Sequence, residues 1–268
     1  MREMSLRSGV SEGTLRMWEA RHGFPVPQRL PSGHRRYSEL DLKRVRAIVQ
    51  DRDQGLSLAT AIERARQLSD EPRPSVYSAL RDTFPHLHAH LLPKRMLRLL
   101  SHAIEDEVCA LSERAILFGC FQRERFYRQA EPRWRELSRT AEVIAVLADF
   151  LRVRHPRGGP AEVPLLPTDA LLREGVVVCD APGFAACLVG FERPGQPVDD
   201  RRFETIWSAE GAVVRHAARV CCRLAARTAP HLVQEAQRRL DEPLPPGTDD
   251  PRTIVDLTTR MVLYAASD

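Results

Sequence analysis

The chain has 268 residues and a mass of 30.3 kDa, enough for two domains of ordinary size. Its 43% hydrophobic and 28% charged residues and mean hydropathy of −0.34 exclude a disordered chain, a collagen or a coiled-coil rod. No apolar run approaches the roughly 20 residues that span a bilayer, and the first thirty residues carry charges where a signal peptide needs an apolar stretch, so a cytoplasmic protein with no membrane contact is expected. The net charge of +4 is unevenly placed: through Gln67 thirteen lysines and arginines stand against eight acids, whereas the remaining 201 residues carry 27 against 28. Only Lys43 and Lys94 are lysines, and arginine's planar donor fork suits phosphates and guanine edges.

From the N-terminus the pattern reads helix, tight turn, helix, short basic hairpin, then two more helices. Gly9, Val10 and Ser11 give a helix stop, a core residue and an N-cap in succession. Leu15 and Trp18 repeat at the spacing of a buried helical face, and two short helices across a glycine turn make a helix-turn-helix. Gly33 marks the hairpin turn. Ser38-Glu39-Leu40-Asp41 resembles a capping box, followed by the apolar stripe Leu42, Val45, Ile48 and Val49. Ser57 caps the next helix, which carries Leu58, Ala61 and Ile62.

Asp70 to Ser75, with Pro72 and Pro74, breaks every period and reads as a linker. Beyond it, aliphatic runs at Ala115–Phe121, Val143–Ala148, Val176–Cys179 and Ala185–Phe191 are predicted strands. Lys94–Leu111, Glu124–Arg139 and Arg201–Arg227 are predicted helices. A second proline-rich stretch, Asp241–Asp250, precedes a final helix over about Pro251–Ala266 that is available as a docking arm.

Several clusters invite chemistry. Glu105, Asp106 and Glu107 point about 100° apart on a helix, so they read as a charged face with one member paired to arginine. His86, His88 and His90 would align only in an extended segment and have no carboxylate or cysteine at ligand spacing, so no metal is expected. Cys109, Cys120, Cys179, Cys187, Cys221 and Cys222 show no CxxC spacing and read as buried thiols. For Cys221 and Cys222 a redox reading rests only on the flanking Arg219 and Arg223. Arg157-Gly158-Gly159-Pro160 is a turn without a phosphate-loop lysine. Neither a nucleophile–base pair nor a cofactor motif stands out, so an enzyme is not expected.

The run Gly9-Val10-Ser11, Thr14 to Pro25 (TLRMWEARHGFP), then Pro27, Arg29 and Gly33-His34-Arg35-Arg36-Tyr37-Ser38 resembles the DNA-binding domain of the MerR family over residues 1 to about 67. That resemblance implies a winged helix-turn-helix, a homodimer and double-stranded DNA carrying an inverted repeat. It also implies several residues ahead of the position Met1 occupies, so either the start lies upstream or the first helix is frayed. Residues able to reach bases or phosphates are Ser11, Glu12, Thr14, Arg16, Met17 and Arg21 from the reading helix, and Arg29, His34, Arg35, Arg36 and Tyr37 from the wing. MerR proteins pair through a long helix after the fourth. Here Pro72 and Pro74 interrupt the chain, so the dimer contact is expected from the second domain, its helix Arg201–Arg227 or the final arm.

Ser101 to Glu107, Phe121-Gln122, Tyr127, Trp134, Asp149-Phe150, Phe203 and Trp207-Ser208 resemble the DICT sensory domain, which implies signal input without naming a ligand. Its pocket candidates are Ser101, His102, Glu105, Asp106, Gln122, Tyr127, Trp134, Asp149 and Trp207. An Asp-x-His-x-x-Gly segment is missing, so the cobalamin-binding domain of some MerR relatives is not expected behind the first domain. The fold expected is a mainly α winged helix-turn-helix at 1–68, a linker at 69–75, an α/β sensory domain at 76–230 and a helical extension at 231–268. The function expected is a one-component transcriptional regulator answering an unknown small-molecule or protein effector, with RNA polymerase at the promoter as a candidate partner and no cofactor. The alternative is a DICT-mediated adaptor held on DNA.

Overall fold

The computed structural model describes residues 1–29, 35–53, 55–66, 75–111, 114–167, 169–197, 200–244 and 250–266. The chain divides into two compact units, Met1–Arg73 and Pro74–Asp268. The linker expected at 69–75 lies, apart from Ser75, outside the described residues.

In the first unit α1 (Arg2–Ser8) ends on Gly9, whose φ of 75° is left-handed and whose N–H donates to Ser5. The Ser11 side chain accepts from Thr14 N at 3.1 Å and starts α2 (Glu12–His22). Strands β1 (Gln28–Arg29) and β2 (Arg35–Arg36) pair antiparallel. At α3 (Glu39–Asp53) Ser38 Oγ accepts from Asp41 N at 3.1 Å while the Asp41 carboxylate accepts from Ser38 N at 2.8 Å, the reciprocal bonds of a capping box. Ser57 likewise caps α4 (Leu58–Arg66) through Thr60 N. Met4, Leu15, Trp18, Phe24, Leu42, Val45, Ile48 and Ile62 close the core.

The second unit is a seven-stranded mixed sheet between two helical layers. Its elements are α5 (Val76–Thr83), β3 (His90–Pro93), α6 (Lys94–Leu111), β4 (Ala115–Cys120), α7 (Glu124–Leu137), β5 (Ala141–Ala148), β6 (Ala161–Pro164), a 3-10 turn at Ala170–Arg173, β7 (Glu174–Ala181), β8 (Phe184–Glu192), β9 (Arg202–Ser208), α8 (Gly211–Ala226), α9 (Pro230–Asp241) and α10 (Pro251–Ala266). The strand order is β3-β9-β8-β7-β4-β5-β6, with β4, β5 and β6 parallel to one another and the other pairs antiparallel. Both faces are covered, which is why the central strands read as unbroken apolar runs. Ile116, Phe118, Val176, Val178, Cys187 and Val189 face α5, α8 and α9. Leu117, Val177, Cys179, Ala186 and Leu188 face α6, α7 and α10.

One predicted helix is corrected. Arg201–Arg227 divides into β9 and α8. Phe203, Ile206 and Trp207 sit at helical spacing in the sequence, yet the ladder to β8 pairs Ile206 with Val189 and Glu204 with Phe191 and sends Phe203 and Ile206 to opposite faces. The helix after it is buried over most of its surface within this unit. The last helix packs on α6 through Leu257 and Met261, with Arg260 on Glu107 at 2.6 Å and the Tyr264 hydroxyl on Asp106. Among the described residues no helix is long and apolar enough to cross a membrane.

Candidate functional site

The first unit presents a basic surface organised by α2. Its second turn exposes Arg16, held by Glu12 at 3.2 Å, and its last turn exposes Arg21. Glu12 and Thr14 are half-buried, Thr14 Oγ1 lying 2.8 Å from Ser11 Oγ, and Met17 packs against the core. Glu19, which sequence reasoning did not single out, joins Arg35 of β2 at 3.2 Å and so fixes the hairpin strand beside α2. Next to it Arg36 is exposed and, among the described residues, holds no carboxylate. The Tyr37 hydroxyl donates to Met1 Sδ at 3.3 Å, and burial raises its pKa. Arg29 lies on β1 with its side chain outside the described residues, and Gly33 and His34 fall outside them altogether. Between α1, β2 and the start of α3 lies a groove of about 640 Å³ lined by Arg7, Arg35, Arg36, Tyr37 and Ser38. Arg7 is engaged there by Glu39.

The second unit has a cavity of about 400 Å³ between α6, α7 and the sheet. Of the residues expected to form a sensory pocket, Ser101, His102, Glu105 and Gln122 line it. Ser101 Oγ donates to the Leu97 carbonyl. Burial, with Arg133 and Arg98 adding to it, lowers the His102 pKa and favours the neutral imidazole. Glu105 is 3% exposed, accepts from Trp134 Nε1 at 3.3 Å and lies 2.6 Å from Arg133 Nε. Burial outweighs those partners and pushes its carboxyl up to about 7. Gln122 has a left-handed φ of 61°, unusual for a residue with a side chain, and its amide bridges Glu192 at 2.9 Å and Arg201 at 2.7 Å.

The other candidates stand around the cavity without lining it. Asp106 binds Arg133 and Tyr264. Tyr127 and Trp134 are fully buried against Phe121, with ring centroids 5.4 and 5.5 Å away. Asp149 accepts from Glu124 N at 2.5 Å and so caps α7 from the end of β5. Trp207 is half-buried on the same face. Sequence reasoning missed Lys94, Arg98, Leu97 and Phe126, which also line the cavity.

His86, His88 and His90 occupy a turn, an irregular stretch and a strand start, and His86 faces Glu210 at 3.2 Å. Among the described residues no group of three or more His, Cys, Asp or Glu side chains is placed to hold a metal ion. Cys221 and Cys222 are both buried, and burial raises both thiols, that of Cys222 to about 12, opposite to what a reactive thiol needs.

Similarity to known proteins respects this division. Residues 1–68 match the family described as MerR HTH family regulatory protein, and residues 74–193 match DICT, a sensory domain in diguanylate cyclases and two-component systems. The HTH-type transcriptional repressor CarA of Myxococcus xanthus is 33% identical over 86 residues, 31% of this chain and 30% of its own length. The HTH-type transcriptional repressor CarH of the same organism is 30% identical over 81 residues, 30% of this chain and 27% of its own. The HTH-type transcriptional regulator MlrA of Escherichia coli is 35% identical over 57 residues, 21% of this chain and 24% of its own. The matched stretch is thus under a third of each of these relatives.

Proposed function

Residues 1–68 are a MerR-family helix-turn-helix module and residues 74–193 a DICT module, and from that premise we propose that the protein is a one-component transcriptional regulator whose second unit senses a signal. The observation that carries the DNA-binding reading is the Glu19–Arg35 pair. It sets a strand bearing two exposed arginines alongside the helix that exposes Arg16. In this reading α2 enters the major groove, Arg16 and its neighbours reach base edges, and Arg35 and Arg36 hold the flanking phosphates.

Two copies bind an inverted repeat, and the sensory unit alters how the two reading heads are set on it. Deformation of the duplex between the half-sites then adds specificity at bases no side chain touches. The relatives named as transcriptional repressors and regulators support a non-enzymatic role. In this reading the protein acts in the cytoplasm, with RNA polymerase as its partner at the promoter. The test is titration of the full chain into a labelled random-sequence duplex at rising salt. Binding that weakens steeply with salt is expected; no binding at low salt would remove the reading.

A further inference from the structure

The cavity of the second unit has a composition that specifies a class of ligand. Its wall is apolar: Leu97, Phe121, Phe126 and Phe203 line it. Two sheet glycines make the space for Leu97. A Cβ on Gly190 would lie 2.9 Å from Leu97 Cδ1, and one on Gly175 would lie 3.2 Å from Cδ2, so any larger residue there drives Leu97 into the hollow.

The mouth is cationic. Lys94 Nζ sits 4.0 Å from the centre of the Phe126 ring. In a unit where Arg128, Arg133, Arg201, Arg215 and Arg239 each hold a carboxylate, neither Lys94 nor Arg98 has one within ion-pair distance among the described residues. The acids nearby are already answered: Glu192 by Arg201 at 2.5 Å and Glu105 by Arg133 at 2.6 Å. The field at the mouth therefore has an unmatched positive excess over an apolar hollow whose volume of about 400 Å³ falls within the range of small-molecule sites.

We propose that this cavity binds a small apolar carboxylate, its anionic head between Lys94 and Arg98 at the mouth and its hydrocarbon body against Leu97, Phe121, Phe126 and Phe203. The inference rests on the reading of this unit as the sensor and supplies the class of its signal. The lowered Lys94 pKa agrees with it: burial and then Arg201 disfavour the ammonium, and a bound anion relieves that. The half-buried Phe126 ring beneath the ammonium keeps part of the water from it, and charge there is screened less than in open water.

The test uses the full chain in titration calorimetry, with decanoate and 1-naphthylacetate as probes and their neutral amides as controls. At least one carboxylate is expected to saturate the protein and to bind at least tenfold more tightly than its amide. Lys94→Gln with Arg98→Gln is expected to remove that preference while leaving the chain folded, with a single cooperative melt, since both residues are exposed and neither holds a carboxylate among the described residues. Ala130→Trp, which fills the hollow from α7, is expected to abolish binding of acid and amide alike.

Failure of both carboxylates to bind at millimolar concentration, or equal binding of acid and amide in the parent and the double variant, overturns the proposal. The same titrations repeated with labelled duplex separate the two readings. A carboxylate that binds without changing DNA affinity supports the cavity and removes only its sensory role. A DNA response to some other effector with no carboxylate binding removes the cavity proposal and leaves the sensory reading standing.

Discussion

Replacing Arg36 by alanine removes an exposed guanidinium that holds no carboxylate among the described residues, so all of its charge is available to a phosphate. Each phosphate neutralised on B-form DNA contributes about 0.9 to the slope of log affinity against log salt, and Arg36→Ala should flatten the slope by about that amount. Arg35→Ala should flatten it by less. Arg35 already shares its charge with Glu19 at 3.2 Å, and its loss also frees the hairpin strand from α2. With both removed the change approaches about 1.8, so between about 50 and 200 mM salt the handicap of the double variant against the parent shrinks by roughly tenfold. Arg16→Ala, by contrast, should lower the ratio of specific to non-specific affinity, because its side chain leaves the exposed face of the reading helix. Fluorescence anisotropy on a labelled duplex at several salt concentrations measures all of these slopes. Parallel lines for parent and double variant would refute the assignment of the two arginines to the phosphate backbone.

Two further predictions concern the second unit. A Cβ on Gly119 would lie 2.5 Å from Trp134 Cη2 and 3.0 Å from Phe121 Cε2, so Gly119→Ala should destabilise the unit by about 1–3 kcal/mol and lower its melting temperature by several degrees; an unchanged melt would mean that Trp134 and Phe121 pack loosely on this strand. Glu105 and Glu174, the latter accepting from Ser75 Oγ and from the N–H groups of Val76 and Tyr77, are both pushed by burial up to about 7. Their folded pKa lies above the ordinary carboxylate value, so the folded chain keeps protons that the unfolded chain has lost. Stability should therefore fall as pH rises from about 5 towards 7, on the order of 1 kcal/mol per pH unit for each group. Arg133→Met, which leaves Glu105 without its cation, should raise its folded pKa further and carry that fall to higher pH, and thermal melts that do not move between about pH 5.5 and pH 8 would contradict both statements.

The first unit was legible because its signals are local. Gly9 and Ser11 are two residues apart, Leu15 and Trp18 lie within one turn, and the Ser38–Asp41 box closes within four residues, so neighbouring residue types dictate the geometry. What escaped the sequence is held by contacts distant along the chain. Glu19 and Arg35 are joined across the hairpin, Glu105 meets Arg133 across two elements, and Glu174 binds the start of α5 from nearly a hundred residues away. The strand over Arg202–Ser208 reads as helical because Phe203, Ile206 and Trp207 satisfy the helical spacing equally well, and only the ladder to Val189 and Phe191 decides against it. The cavity was half legible. Ser101, His102, Glu105 and Gln122 were marked by their residue types, but Lys94 and Arg98 look like ordinary surface charge until the fold places them over Phe126 and Leu97.

The claim that orders the whole account is that two copies of the N-terminal unit read one duplex in symmetry. Selection of bound duplexes from a random pool by the full chain, with sequencing of the recovered DNA, tests it directly. The account predicts enrichment of an inverted repeat whose half-site centres are about one helical turn, or a whole number of turns, apart, with the enrichment lost in Arg16→Ala. Recovery of a pool with no enriched sequence, or of single half-sites without a repeat, would contradict it.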